Sequence, residues 1–287
     1  MCDVESQDSG DRPPTRRDVL RAGLGAAVAV ALPLPIRSSR WLHAREPDDR
    51  YLNAALAAGR WIRATAIDAP GGKTWPAVPP DEKTVQRDLY TGTPGVILFL
   101  IELHRATRDR AWLDLAIAGA DTLATTMPNR SPDGDSFGLY SGTAGLAYMF
   151  DEVARASGHD RFRRASAKAL GEIVAGARNV GAGVEWNETS DIISGSAGIG
   201  LYLLRAAATN NDARIKVLAV RAGRRLLERE YRHGDTGFWM MMPSFTRNMP
   251  NFSHGTGGVA YFLASLAGET GDREFRDAAI RGARYLQ

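Results

Sequence analysis

The side chains able to ligate a metal or pass a proton are few in this sequence. Cysteine occurs once, at Cys2, and histidine five times, at His43, His104, His159, His233 and His254. A protein-held zinc ion takes about four Cys, His or carboxylate donors, with its histidines and cysteines at short, recognisable spacings. The first four histidines show no such spacing to one another, so the residues by themselves imply no metal, no disulfide and no thiolate ligand. His104 and His159 follow helix-ending residues and read as surface or capping groups, and His233 precedes Gly234 in a loop. Trp75, Trp186 and Trp239 each fall in a polar connection, as do Glu185, Asn187, Arg247 and Asn251. Loops that gather on one rim could present these groups to a peptide or a sugar at an entrance. Ordinary packing of loops over a core is the other reading of the same tryptophans.

The elements that must position such residues announce themselves as four copies of one phrase. LYTGTPGVILFL begins at Leu89, LYSGTAGLAYMF at Leu139, IISGSAGIGLYL at Ile192 and NFSHGTGGVAYFL at Asn251. Their first glycines, Gly92, Gly142, Gly195 and Gly255, are spaced by 50, 53 and 60 residues, the range of stacked supersecondary units. A small polar residue (Thr91, Ser141, Ser194) or His254 precedes that glycine, and an apolar run follows, as at a helix start where polar side chains and bare backbone satisfy orphan amides. The second glycine, at Gly95, Gly145, Gly198 and Gly258, lies inside the helix and costs roughly 1 kcal/mol against alanine. Its recurrence predicts close approach of another backbone or of a ligand.

Each phrase is followed by a segment with helical period and one wet face: Trp112, Leu115, Ala116, Ala120 and Leu123 after the first, and Ile215, Leu218, Ala222 and Leu226 after the third. The unit is an inner helix followed by an outer helix. With a first outer helix expected over 51–67, the count is nine helices, or about four and a half hairpins. The fold class is therefore all-α, an (α/α) toroid of inner and outer pairs, with short hairpins possible around Trp75, Glu185 and Phe238. A closed toroid of this kind takes roughly six or seven pairs, so the ring is expected to be incomplete, as in a C-terminally truncated form.

Taken as a set in register over 51–287, the phrases resemble the lanthionine synthetase C-like (LanC-like) family, most closely in GLYSGTAGLAYMF and FSHGTGGVAYFL. The resemblance implies the toroid and a history of zinc-dependent cyclisation, in which a cysteine thiol adds to a dehydrated residue to form a thioether. It also implies two acid/base residues. One is an aspartate three or four residues before a phrase glycine, matched by Asp191 ahead of Gly195; the other is a histidine directly before the next, matched by His254 ahead of Gly255. Thiol addition makes an enolate that must be protonated, and the thiol proton must go somewhere, work suited to a histidine with a carboxylate to orient it. Inner helices starting on one rim would bring the two within about 10 Å, given helices packed 8 to 10 Å apart. A turn or cap role for Asp191, and a satisfied polar role for His254, remain the alternatives.

The zinc ligands implied by the family are two cysteines and a histidine, in phrases beyond the four present. No cysteine follows Cys2, so this chain is expected to carry no zinc and no other cofactor, and to be inactive or incomplete as a cyclase. Zinc is the expectation for a full-length relative.

Residues 1–47 read as a leader. Thr15-Arg16-Arg17-Asp18-Val19-Leu20 places paired arginines ahead of the apolar stretch 22–35, the layout of a twin-arginine signal, and that stretch is shorter than the roughly 20 residues a membrane span needs. The expectation is export by the twin-arginine machinery to the periplasm or beyond, with one domain over 48–287. The net charge of +3 over 287 residues is evenly spread, and no basic stripe points to nucleic acid. The partner is then a peptide or small molecule. Two other functions fit an exported toroid: a glycoside hydrolase or lyase using paired carboxylates, for which Asp88 and Asp191 are candidates, and a non-catalytic peptide- or glycan-binding module.

Overall fold

The computed structural model describes residues 49–127 and 137–287; the leader, with Arg16, Arg17, Cys2 and His43, lies outside them. Among the described residues are nine α-helices. The first, α1 (Asp49–Ala64), is an outer helix. Four inner–outer pairs follow: α2 (Thr93–Thr107) with α3 (Arg110–Thr125), α4 (Thr143–Ser157) with α5 (Asp160–Gly176), α6 (Ser196–Asn210) with α7 (Ala213–Glu228), and α8 (Thr256–Thr270) with α9 (Arg273–Tyr285). The inner helices pack in sequence order, α2 on α4, α4 on α6 and α6 on α8, and each lies against its own outer partner. None of these helices is long and apolar enough to cross a membrane.

Each pair is joined by a tight turn. The inner helix ends on a left-handed residue (Arg108, Gly158, Asn211 or Gly271), and the next residue caps the outer helix. Three of those caps are aspartates whose carboxylates accept the amide two residues on, Asp109 from Ala111, Asp212 from Arg214 and Asp272 from Glu274, each at 2.9 Å. The fourth is His159, which makes no such bond. His104, near the end of α2, turns Nδ1 to the carbonyl of Asp109 at 2.8 Å.

Three of the outer helices, α1, α5 and α7, return to the next phrase through two-stranded antiparallel hairpins: β1 (Ile67–Ala69) with β2 (Gly72–Thr74), β3 (Arg178–Val180) with β4 (Gly183–Glu185), and β5 (Tyr231–His233) with β6 (Thr236–Phe238). The first of these explains why α1 stops at Ala64 rather than running to Ile67. Ile67 is drawn into pairing with Thr74, and the Thr65 hydroxyl folds back onto the carbonyl of Trp61.

The tryptophans expected at a substrate entrance are instead core residues. Trp75, Trp186 and Trp239 directly follow the hairpins and are only 4 %, 3 % and 0 % exposed. Each indole N–H donates to a carbonyl 13 residues upstream, at the end of the outer helix just left: Ile62, Ile173 and Leu226, at 2.8, 2.6 and 2.7 Å. A helix end leaves carbonyls without partners, and a ring large enough to fill the inter-layer space while donating one bond meets both needs. Glu185 is likewise committed, holding Arg225 at 2.9 Å and Arg229 at 3.0 Å from a buried position. Replacing Trp186 with phenylalanine should keep most of the packing but strand a buried carbonyl, a loss of about 1–2 kcal/mol readable as a lower urea midpoint.

The recurrent second glycine is accounted for by backbone approach. A Cβ at Gly95, Gly145, Gly198 or Gly258 would run into the carbonyl oxygen of Leu89, Leu139, Ile192 or Phe252 respectively, the residue six positions earlier in the same phrase. The phrase folds back over the first turn of its own helix. Gly198→Ala is therefore expected to destabilise by about 1–3 kcal/mol, whereas Gly171→Ala, with nothing within 4 Å of the added methyl, should stabilise by up to about 1 kcal/mol. Thermal unfolding of the two variants reads opposite signs.

Candidate functional site

The same fold-back decides how the inner helices begin. Their first residues follow Gly92, Gly142, Gly195 and Gly255, none of which has a side-chain cap, contrary to the expectation of polar capping groups. Main-chain carbonyls serve instead. Gln86 accepts from Thr93, Thr189 from Ser196 and Met249 from Thr256 at 3.0–3.1 Å, and Ser190 and Asp191 accept from Ala197 and Gly198. In three of the four phrases the polar residue four positions before the phrase glycine pins that loop by a side-chain turn; the second has Gly138 there. Asp88 accepts the amide of Thr91 at 2.8 Å, Asp191 that of Ser194 at 2.8 Å, and Asn251 that of His254 at 2.7 Å.

Adjacent phrases are stitched together by single main-chain hydrogen bonds, and the last stitch differs. The amide of Tyr90 donates to Tyr140 at 3.1 Å and that of Tyr140 to Ile193 at 2.9 Å, in each case from the second residue before one phrase glycine to the second before the next. Between the third and fourth phrases the donor is Ile192 rather than Ile193, bonding Ser253 at 3.2 Å. The fourth phrase is thus slipped by one residue. In the regular step, the residues just before the glycines face each other, Ser141 Oγ to Ser194 Oγ at 3.0 Å. In the slipped step the corresponding residue, His254, faces back to Asp191.

His254 Nδ1 lies 2.8 Å from Asp191 Oδ2. Asp191 Oδ1 accepts both the Ser194 amide at 2.8 Å and the Gly195 amide at 2.9 Å, and the carboxyl is wholly buried. An ionised carboxylate only accepts, so Nδ1 carries the hydrogen and the opposite ring nitrogen, Nε2, is the one free to take up a proton. No hydrogen bond engages Nε2 among the described residues, and the ring is 40 % exposed. Sequence reasoning placed these two residues on one rim, and the structure brings them into direct contact. The geometry is that of a histidine held and oriented by a carboxylate it does not share with solvent, able to accept and return one proton.

Other candidates are not brought together. The Asp88 carboxylate stays on its own turn with Thr91, and Asp191, buried with both oxygens bonded, has no open face for a glycosidic oxygen. That carboxylate pair is therefore unavailable as an acid and nucleophile. Zinc fits no better. Asp191 is fully engaged, His254 offers only Nε2, and no third His, Cys, Asp or Glu joins them among the described residues. The donors brought together among the described residues do not match the two cysteines and a histidine that the family resemblance implies.

A second polar assembly went unnoticed in the sequence. Ten residues after the phrase glycine stand Glu102, Glu152 and Arg205, and thirteen after it stand Arg105 and Arg155. Glu152, buried on α4, receives Arg105 of α2 at 2.8 Å, Arg155 of its own helix at 2.8 Å and Arg205 of α6. Arg205 also lies over the Tyr148 ring, 4.8 Å from its centroid. Neighbouring Asp151 faces Ser166 on the outer helix, where loss of hydration raises its pKa. The signal was available as a recurring E-x-x-R at matched offsets, Glu102 to Arg105 and Glu152 to Arg155.

A family model described as lanthionine synthetase C-like protein matches residues 83–287. Comparison with curated proteins finds no significant match. Among solved structures, the chain is similar to an inactive variant of an α-1,6-mannanase of Salegentibacter sp. HEL1_6 in complex with α-1,6-mannotetrose, with a TM-score of 0.56 and 11 % identity over 82 % of this chain and 70 % of that one. It is similar to an unsaturated glucuronyl hydrolase specific for heparin (TM-score 0.52, 14 % identity, 83 % and 67 % covered). A polysaccharide lyase also matches, at TM-score 0.50 and 16 % identity over 81 % of this chain and 35 % of the other. These likenesses establish the helical toroid fold.

Proposed function

The chain belongs to the lanthionine synthetase C-like family, and from that footing we propose that His254, oriented by Asp191, moves protons in the addition of a thiol to a dehydrated residue of a peptide. The observation that carries the reading is the 2.8 Å contact of His254 Nδ1 with a carboxylate that is buried and held by two amides. His254 Nε2 takes the S–H proton. The sulfur then bonds the β-carbon, the alkene electrons pass to the carbonyl oxygen as an enolate, and the imidazolium returns its proton to the α-carbon. One S–C and one C–H bond form, one S–H and one C=C π bond are lost, and nothing is oxidised. The thiol comes from the substrate or from solution. Asp191 keeps the ring in the tautomer that leaves Nε2 unprotonated at the start and stabilises the imidazolium at the midpoint.

The test is a peptide carrying one dehydroalanine and one cysteine, followed by trapping of free thiol. Wild-type protein should consume thiol faster than buffer. Rates equal to buffer for wild type and His254→Ala alike would reject the reading.

A second reading, action on a glycan, is supported by the shared fold with the mannanase, the glucuronyl hydrolase and the lyase. The exposed Nε2 would there remove the proton next to a uronate carboxyl. An unsaturated sugar product detected by ultraviolet absorbance, with no thiol consumption, would favour it. Export by the twin-arginine route, supported by Arg16 and Arg17 ahead of the apolar stretch 22–35, belongs to the same proposal and places either chemistry outside the cytoplasm.

A further inference from the structure

The one-residue slip that brings His254 to Asp191 also releases a main-chain donor. In the two regular steps the amide of the second residue before the phrase glycine is spent on the next phrase, Tyr90 on Tyr140 and Tyr140 on Ile193. Ile193 holds that position in the third phrase, but the slipped step uses the amide of Ile192 instead. The Ile193 amide therefore donates to no group among the described residues.

A second donor stands beside it. Ser141 Oγ donates to Ser194 Oγ at 3.0 Å, and the Ser194 hydroxyl has one hydrogen of its own to give. That hydrogen meets no acceptor among the described residues. A hydroxyl that already accepts a hydrogen bond donates more strongly, because successive bonds polarise one another.

Both donors lie on a turn fastened to the histidine from two sides. Ile192 donates to Ser253, the residue before His254, at 3.2 Å. The Ser194 amide reaches Asp191 Oδ1 at 2.8 Å, and Oδ2 of that carboxylate is 2.8 Å from His254 Nδ1. Ile193 and Ser194 are half-buried between the buried Ile192 and Gly195, and Ser253 and His254 are half-buried in the facing turn. The two turns thus reach solvent at the donors and at the imidazole.

Addition of a thiol to a dehydrated residue moves the alkene electrons onto a carbonyl oxygen, and N–H and O–H groups fixed in advance are what stabilise such a charge. The geometry points to the Ile193 amide and the Ser194 hydroxyl as the pair of donors that receives the carbonyl oxygen of the dehydrated residue and holds it as the enolate forms. No covalent bond to either residue is made or broken; each gives a hydrogen bond that strengthens as the oxygen gains charge, while His254 Nε2 moves the proton. The group recognised is an amide carbonyl conjugated to a C=C bond, and the assignment rests on the thiol-addition reading of His254 and Asp191.

Two measurements test it, and the first needs no turnover. N-acetyldehydroalanine methylamide, carbon-13 labelled at the conjugated carbonyl, is added to the full chain without thiol, and the isotope-edited infrared band is read. The band should lie at lower wavenumber on wild-type protein and on Ser194→Thr than on Ser194→Ala. The same position on wild type and Ser194→Ala overturns the proposal, whether or not thiol is ever consumed. The second measurement compares thiol addition to this amide with addition to methyl vinyl ketone, whose ketone enolate is more stable and asks less of the donors. Ser194→Ala should lower kcat on the amide by about 10²-fold, the usual worth of one such donor, with KM little changed, and lower it far less on the ketone. The main-chain bond from residue 194 to Asp191 survives either substitution, and equal melting temperatures establish that both variants are folded. An equal loss on the two acceptors, or no loss on the amide, overturns the proposal. His254→Ala should slow both acceptors and leave the infrared band where it is in wild type, so a failure of the acid/base reading and a failure of the donors are read separately.

Discussion

Asp191→Asn is expected to silence thiol addition as completely as removal of His254, by about 10²- to 10⁴-fold, the usual worth of a positioned acid/base group. The two amides explain why so conservative a change should act so strongly. Ser194 and Gly195 both donate to Oδ1, so an asparagine must place its carbonyl oxygen there. Its NH₂ then occupies the Oδ2 position, 2.8 Å from His254 Nδ1 in the native protein. A donor facing Nδ1 makes that nitrogen the acceptor and moves the hydrogen to Nε2, which can no longer take a proton from a thiol. The backbone turn survives because its acceptor survives. The expected result is near-wild-type melting with background thiol consumption in both Asp191→Asn and His254→Ala. An active Asp191→Asn beside an inactive His254→Ala would show that the carboxylate only caps the turn.

Glu152→Gln should produce the largest loss of stability. Glu152 is buried and meets guanidiniums from three successive inner helices. Arg105 and Arg155 are half exposed, and pairs of that kind contribute little, about 0–1 kcal/mol. Arg205 decides the size of the effect, because a guanidinium only 7 % exposed would be left without its counter-ion. Breaking a buried pair from one side costs about 3–5 kcal/mol. For a domain of this size, each kcal/mol shifts the melting temperature by about 2–4 °C, so a drop of roughly 6 °C or more is expected, with a matching fall in urea midpoint. Glu102→Gln is the control. That side chain is 61 % exposed, and its loss should change stability by no more than about 0.5 kcal/mol. Equal effects of the two substitutions would mean that the cluster is a solvated surface feature.

Much of the architecture was legible in the residues because it is locally encoded. The phrase spacing, the apolar inner helices, the one-sided outer helices and the short hairpins are statements about periods of a few residues and about turn chemistry. Among the described residues the phrases and inner helices occur four times, the outer helices five and the hairpins three. The family resemblance likewise picked out Asp191 and His254 as residues of one rim. The tryptophans show where local reading ends. A tryptophan in a polar connection looks the same whether it faces solvent or docks, and it was the carbonyl of an outer helix end, 13 residues upstream, that drew Trp75, Trp186 and Trp239 inward.

The helix order, the recurrence of the second glycine and the absence of any cysteine after Cys2 were thus determined by the sequence alone, since each depends on neighbours along the chain or on a residue type that is simply missing. Only the tertiary structure decided that His254 meets Asp191 rather than Ser194, and that Glu152 gathers arginines from three helices. The first follows from a one-residue slip in the stitching of the last phrase, with Ile192 in place of Ile193 as donor to Ser253. The second joins positions about 50 residues apart, 105, 152 and 205, which become neighbours only when the inner helices stack. Register between repeats is set by which amide finds which carbonyl across the interface, and no period within a single repeat carries that information.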